Sequence, residues 1–107
     1  MDIIERIQSL CEQNSLLLTK HASYRLEERG IEFVDIKTAI LHGEVIENYP
    51  TDFPYPSVLI LGYTRNKMPI HIVIGIGYNC VQLITAYFPS SHKWNDDMKT
   101  RKVVQPQ

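Results

Sequence analysis

The apolar residues change their period once along the chain. Up to Gly43 they recur at the spacing of a helix face, and beyond it they recur at every second position. Helical stripes and alternating strands each bury one side, so a chain that makes its helices first and its strands afterwards has few ways to pack. In the first stretch Ile3, Ile4, Ile7, Leu10 and Cys11 form one stripe, which predicts a helix over Ile3–Cys11. A connecting apolar run, Leu16-Leu17-Leu18, leads to Thr19, whose hydroxyl is placed to cap a second helix over Lys20–Arg29, with Gly30 to stop it. Phe33, Ile36, Ala39 and Ile40 predict a third helix, stopped by Gly43.

Past Gly43, β-branched and aromatic residues dominate, and four strands are expected at Glu44–Tyr49, Ser57–Arg65, Met68–Gly75 and Cys80–Phe88. Asn66-Lys67 and Gly77-Tyr78-Asn79 are connections short enough to require antiparallel neighbours. The proline-rich segment from Tyr49 to Pro56 cannot join a central ladder and is expected as an exposed loop. The expected fold is therefore α+β: two to three N-terminal helices packed on one face of a four-stranded antiparallel sheet. At 107 residues the chain suits a single domain, with a core over 3–90 and a polar tail over 91–107.

Eleven Lys and Arg residues against twelve Asp and Glu give a net charge of −1, which excludes a general positive field for gathering nucleic acid. Any polyanion must be held by a local patch. The acidic start and the shortness of the apolar runs predict neither a secretory signal nor a membrane span, so a cytoplasmic location is expected. Cys11 and Cys80 stand alone and read as reduced thiols. The histidines at 21, 42, 71 and 92 never form a close ligand pair with each other or with cysteine, and no glycine-rich phosphate loop precedes a helix, so no metal or cofactor is expected.

Two places carry chemistry. On the second helix, a rotation of about 100° per residue brings His21, Arg25, Glu28 and Arg29 to one side. His21 in the first turn faces the positive end of the helix, where an anion is favoured and imidazolium is not. A neutral imidazole beside a phosphate-ready helix end is what a general base for phosphodiester chemistry needs, and Arg25 one turn on offers a planar fork for a phosphate oxygen. The plainer reading is a solvated helix face in which Glu28 neutralises Arg25 or Arg29. In the third expected strand, alternation sets His71 with Val73 and Gly75, opposite Ile70, Ile72 and Ile74. A buried histidine there must be hydrogen-bonded, and a satisfied core histidine is the plainer reading. In the last strand the same alternation groups Thr85 and Tyr87 with Val81 and Leu83. The tail carries Lys93, Trp94, Lys99, Arg101 and Lys102, which suits either an RNA- or partner-binding strip or a solvated end.

The string Leu18-Thr19-Lys20-His21-Ala22-Ser23-Tyr24-Arg25-Leu26-Glu27-Glu28-Arg29-Gly30-Ile31, followed by Gly43–Tyr49, Pro69-Ile70-His71-Ile72-Val73, Thr85-Ala86-Tyr87-Phe88-Pro89 and Trp94, resembles a family of small uncharacterised bacterial domains. These are often encoded beside a zinc-finger antitoxin-like protein and are grouped with the RelE-like toxins and the wider barnase, EndoU, colicin and RelE nuclease fold. The resemblance implies a RelE-like arrangement of helices on a sheet and metal-independent cleavage of RNA, a ribose 2′-hydroxyl attacking its own phosphate. It implies His21 as base, His71 as acid or phosphate donor, Arg25 and Arg29 as the phosphate clamp and Tyr87 as a positioning group. Lys20, Thr85 and Trp94 join Arg29 as substrate-binding residues. The partners expected are RNA and an antitoxin-like protein. The alternative is a non-catalytic module that uses the sheet and the aromatic Pro50–Pro56 loop to bind a protein.

Overall fold

Helix α1 (Ile3–Glu12) starts where Asp2 accepts the Glu5 amide at 3.0 Å, and it turns Ile7 and Cys11 into the core. The computed structural model describes residues 2–103, and the last four residues of the expected tail lie outside them. Helix α2 (Lys20–Glu28) is capped by the Thr19 hydroxyl, which accepts the Ala22 amide at 3.0 Å, and it buries Ala22 and Leu26. Gly30 beyond its end has φ +66°, a conformation that glycine adopts without a Cβ penalty. Helix α3 (Phe33–Leu41) buries Ile36, Ala39 and Ile40. The Gln8 side-chain amide donates to the Ile40 and Leu41 carbonyls at 3.1 and 3.2 Å, fastening α1 to the last turn of α3, where the Gly43 amide also reaches Ile40.

The α+β class holds, but the sheet differs from the expectation in number and direction of strands. It has five strands in the order β1-β5-β4-β3-β2, namely β1 (Leu16–Leu18), β2 (Glu44–Tyr49), β3 (Ser57–Tyr63), β4 (Pro69–Ile76) and β5 (Val81–Tyr87). The added strand is the leucine run between α1 and α2. It pairs in parallel with Val81–Leu83, so the sheet is mixed rather than wholly antiparallel. Three residues show no alternation to read, and the partner strand is far away in sequence, which is why the run looked like a connector.

The helices cover one face, where Ile7, Leu26, Ile36 and Ile40 meet Ile60, Ile70, Ile72 and Ile74. Arg6 fastens α1 to the β4–β5 turn by donating to the Gly77 and Tyr78 carbonyls at 3.1 and 2.8 Å. Arg65, just past β3, fastens that hairpin to α3 through Asp35 at 3.0 Å and Glu32 at 2.6 Å. No described helix is long and apolar enough to cross a membrane.

Helix α3 comes so close to β3 that a Cβ at Gly62 would lie 2.6 Å from the Ala39 Cβ and collide with the Ala39 backbone. Gly62→Ala is therefore expected to lower the unfolding free energy by about 1–3 kcal/mol, the usual range for overpacking. Gly75→Ala, whose Cβ would meet only the end of the Ile84 side chain at 3.3 Å, should cost clearly less. Urea unfolding of the two variants side by side checks the order.

Candidate functional site

Helix α2 lies beside β5, and its two ends reach different parts of that strand. Because Ala22 and Leu26 point into the core, His21, Arg25 and Arg29 are turned to another side of the helix. Strand β1 pairs only with Val81–Leu83, so from Ile84 onward the edge of β5 that faces away from β4 has no strand beside it. Arg29 occupies part of that edge, donating from Nη1 to the Ala86 carbonyl at 2.7 Å and to the Thr85 hydroxyl at 3.0 Å. At the other end, Thr19 and His21 line a cleft of about 240 Å³ with Gly75, Gln82, Ile84 and the loop residues Phe53 and Tyr55. The His21 ring is exposed and makes no hydrogen bond among the described residues. Arg25 donates to Glu28 at 3.2 Å, the neutralising pair of the plainer reading, and Lys20 is exposed.

The sheet's second face carries the other histidine. As alternation predicts, His71 lies opposite the isoleucines of β4, and Tyr87 is its partner on β5. The expected grouping of Thr85 and Tyr87 with Val81 and Leu83 is wrong. The register shifts between Val73 and Ile74, so Ile84 is an extra residue on β5; Val81 and Leu83 face the core, while Thr85 and Tyr87 lie opposite Val73 and His71.

His71 is 0% exposed. The tail covers it: the Trp94 ring stands edge-on at 4.4 Å and is itself 2% exposed. The His71 Nε2 lies 2.6 Å from the Met98 carbonyl, which can only accept, so the proton is on Nε2. Nδ1 then accepts from the Tyr87 hydroxyl at 3.3 Å. Burial lowers the His71 pKa below its ordinary value, against the hydrogen bond to Met98 and the nearby Glu47 carboxylate, which raise it. Burial also pushes the Tyr87 phenol up, keeping it a donor.

Beside this histidine Glu47 and Tyr49 escaped the sequence reading, which names Arg101 only among the basic residues of the tail. Arg101 donates from Nε and Nη2 to Glu47 at 2.8 and 3.0 Å and lies 4.6 Å over the Trp94 ring. The Tyr49 hydroxyl donates to the same carboxylate. Arg101 holds the Glu47 carboxyl below the usual range, and burial together with that carboxylate raises Tyr49 to about 12. A signal for the arrangement existed: Glu44 and Glu47 in β2 match Lys99 and Arg101 in the tail, and Lys99 does meet Glu44 at 2.9 Å.

The expected site residues thus fall into linked groups. Arg29 bonds Thr85, Tyr87 bonds His71, and His71 contacts Trp94. His21 and His71 are not brought together. The His21 cleft meets β4 at Gly75, four residues from His71, which is roughly 13 Å along a strand.

A protein-family model for a domain of unknown function, DUF4258, matches residues 18–88, from the last residue of β1 to just past β5. The chain belongs to this family. No curated protein and no solved structure matches the chain. The family description names no activity.

His71 gives the fold a pH dependence of definite sign. Its native pKa lies below its ordinary value of 6.5, so the unfolded chain takes up a proton first as pH falls. Stability should therefore drop as pH goes down from 6.5 toward the lowered native value and level off below it. His71→Gln keeps an amide donor for Met98 and should remove that slope. Urea midpoints measured across this window check it, and a slope unchanged in the variant would assign it to another group.

Proposed function

We propose that this domain binds RNA along the ridge formed by α2 and β5 and cleaves it without a metal ion. The observation that supports this reading is the placement of α2: His21 opens onto an aromatic-lined cleft at one end, and Arg29 is anchored on the unpaired edge of β5 at the other. A base set against Phe53 or Tyr55 can stack, which binds single-stranded RNA with little regard to sequence. Its phosphate then lies toward the first turn of α2, where backbone amides and the helix dipole favour an anion.

In this position a neutral His21 takes the proton of the ribose 2′-hydroxyl. The oxygen attacks the adjacent phosphorus, the bond to the 5′-oxygen breaks, and the products are a cyclic 2′,3′-phosphate and a 5′-hydroxyl end. Arg25 can exchange Glu28 for a non-bridging phosphate oxygen and stabilise charge that builds in the transition state. Lys20 and Arg29 hold flanking phosphates. His71 is enclosed, with both ring nitrogens engaged, so its part in this reading is that of a positioning residue that orients the Tyr87 hydroxyl; the leaving oxygen takes its proton from water. The toxin-like role, with an antitoxin-like protein as partner, belongs to the same proposal.

A second reading has its own observation. Phe53 is 94% exposed on a loop built for contact, which suits a non-catalytic module docking a protein. Digestion of single-stranded RNA separates the two. His21→Ala and Arg25→Ala are expected to slow cleavage about a hundredfold or more, as loss of a general base or a transition-state cation does. A chelator should have no effect, and RNA with a 2′-deoxy nucleotide at the cut should stay whole. Cleavage by His21→Ala at the wild-type rate overturns the mechanism, and RNA left intact by folded wild-type protein favours the docking module.

A further inference from the structure

The tail does more than cover His71, because it also builds a second cleft. This one is about 380 Å³ and is lined by Tyr87, Phe88, Ser90, Lys93, Trp94 and Arg101. It lies beyond the end of β5, away from His21, and its volume is within the usual range for a small-molecule pocket, about 300–1,000 Å³.

The lining carries two cationic side chains. Lys93 is exposed and has no carboxylate partner among the described residues. Arg101 gives Nε and Nη2 to Glu47 and has the Tyr49 hydroxyl beside it, and no carboxylate meets its Nη1 amino group among those residues. Glu47 thus fixes the plane of the guanidinium in advance, and a fork already held in place loses less freedom when it binds an oxyanion. The Ser90 hydroxyl adds a neutral donor, whereas the Tyr87 hydroxyl, whose proton goes to His71, offers a ligand only an acceptor. Phe88, 41% exposed, adds an aromatic surface beside them.

We infer that this cleft is a binding site for a nucleoside monophosphate unit, its phosphate held between Lys93 and Arg101 and its base against Phe88. The inference deepens the RNA reading, since such a unit is one nucleotide of a strand running along β5, but it rests on different residues from those proposed for cleavage.

Trp94 is the only tryptophan, and Arg101 lies over its ring, so a ligand that engages Arg101 should change the emission of Trp94. Adenosine monophosphate titrated into the wild-type protein is expected to give a saturable shift. Lys93→Ala and Phe88→Ala alter exposed side chains, and each should weaken binding about tenfold, the loss of a charged hydrogen bond or of one stacked base. Inorganic phosphate should bind more weakly than the nucleotide.

No saturable shift, or undiminished binding by Lys93→Ala, overturns the inference. Inorganic phosphate binding as tightly as the nucleotide overturns its assignment to a nucleoside. The two proposals fail separately: nucleotide binding by a protein that leaves RNA intact upholds this site and removes the cleavage reaction, while cleavage without nucleotide binding does the reverse.

Discussion

Strand β4 is buried on both of its faces, and most of the architecture answers that demand. On one side Ile70, Ile72 and Ile74 lie under the helices. On the other, His71 and its neighbours on β3, Leu59 and Leu61, are equally out of water, on the face away from the helices. A histidine buried there without partners would be costly, and the tail resolves this by bringing a carbonyl to Nε2 and an indole against the ring. The same segment then places Arg101 within reach of Glu47. The local charges, the orientation of Tyr87 and the second cleft all follow from covering one strand.

The brevity of β1 has the complementary effect. A longer first strand would pair with the whole of β5 and close its edge. Three residues cover only its beginning, and an open edge needs a partner for its backbone groups. Arg29 supplies one at Ala86, and this requires α2 to lie where its His21 side looks into the cleft beneath the aromatic loop. The face with chemical potential is thus set by what β5 lacks. Since loops and edges tolerate ligands more readily than a packed core, the exposed, unbonded His21 is better placed for chemistry than the enclosed His71.

What was legible in the sequence was whatever depends on local periodicity or on a single residue's stereochemistry. The stripe from Ile3 to Cys11, the Thr19 cap and the stop at Gly30 each have a cause within a few residues, and each is found in the structure. The strand over Glu44–Tyr49 and the faces of β4 were likewise readable. Features set by distant partners were not. Leu16-Leu17-Leu18 becomes a strand only because Val81–Leu83 lies beside it. The extra residue at Ile84 reverses the alternation within β5, and the irregularity between Val45 and Glu47 does the same in β2, so a strict period of two assigned Thr85 to the wrong face and gave no reason to notice Glu47. The part of the candidate site on α2 was legible because a helix face is a local property. The part made by β2, β5 and the tail was not, because three separate segments build it.

The near-neutral charge of the chain looks different once its cations are placed. Arg25, Arg65, Lys99 and Arg101 each meet a carboxylate, so a large share of the positive charge is cancelled locally. Lys20, Arg29 and Lys93 form no such pairs among the described residues, and they belong to the two ends of α2 and to the tail cleft. A net charge of −1 gives no long-range attraction for a polyanion, so whatever binds beside β5 must be recognised at contact distance, where a helix end, a fixed guanidinium and a stacking ring act over a few ångströms. Such recognition discriminates by shape and by phosphate position rather than by charge density. Under the proposed RNA reading it would favour short, unpaired segments over a duplex, because only an unpaired base can leave its neighbours and turn into an aromatic cleft while its phosphate stays at the edge of the strand.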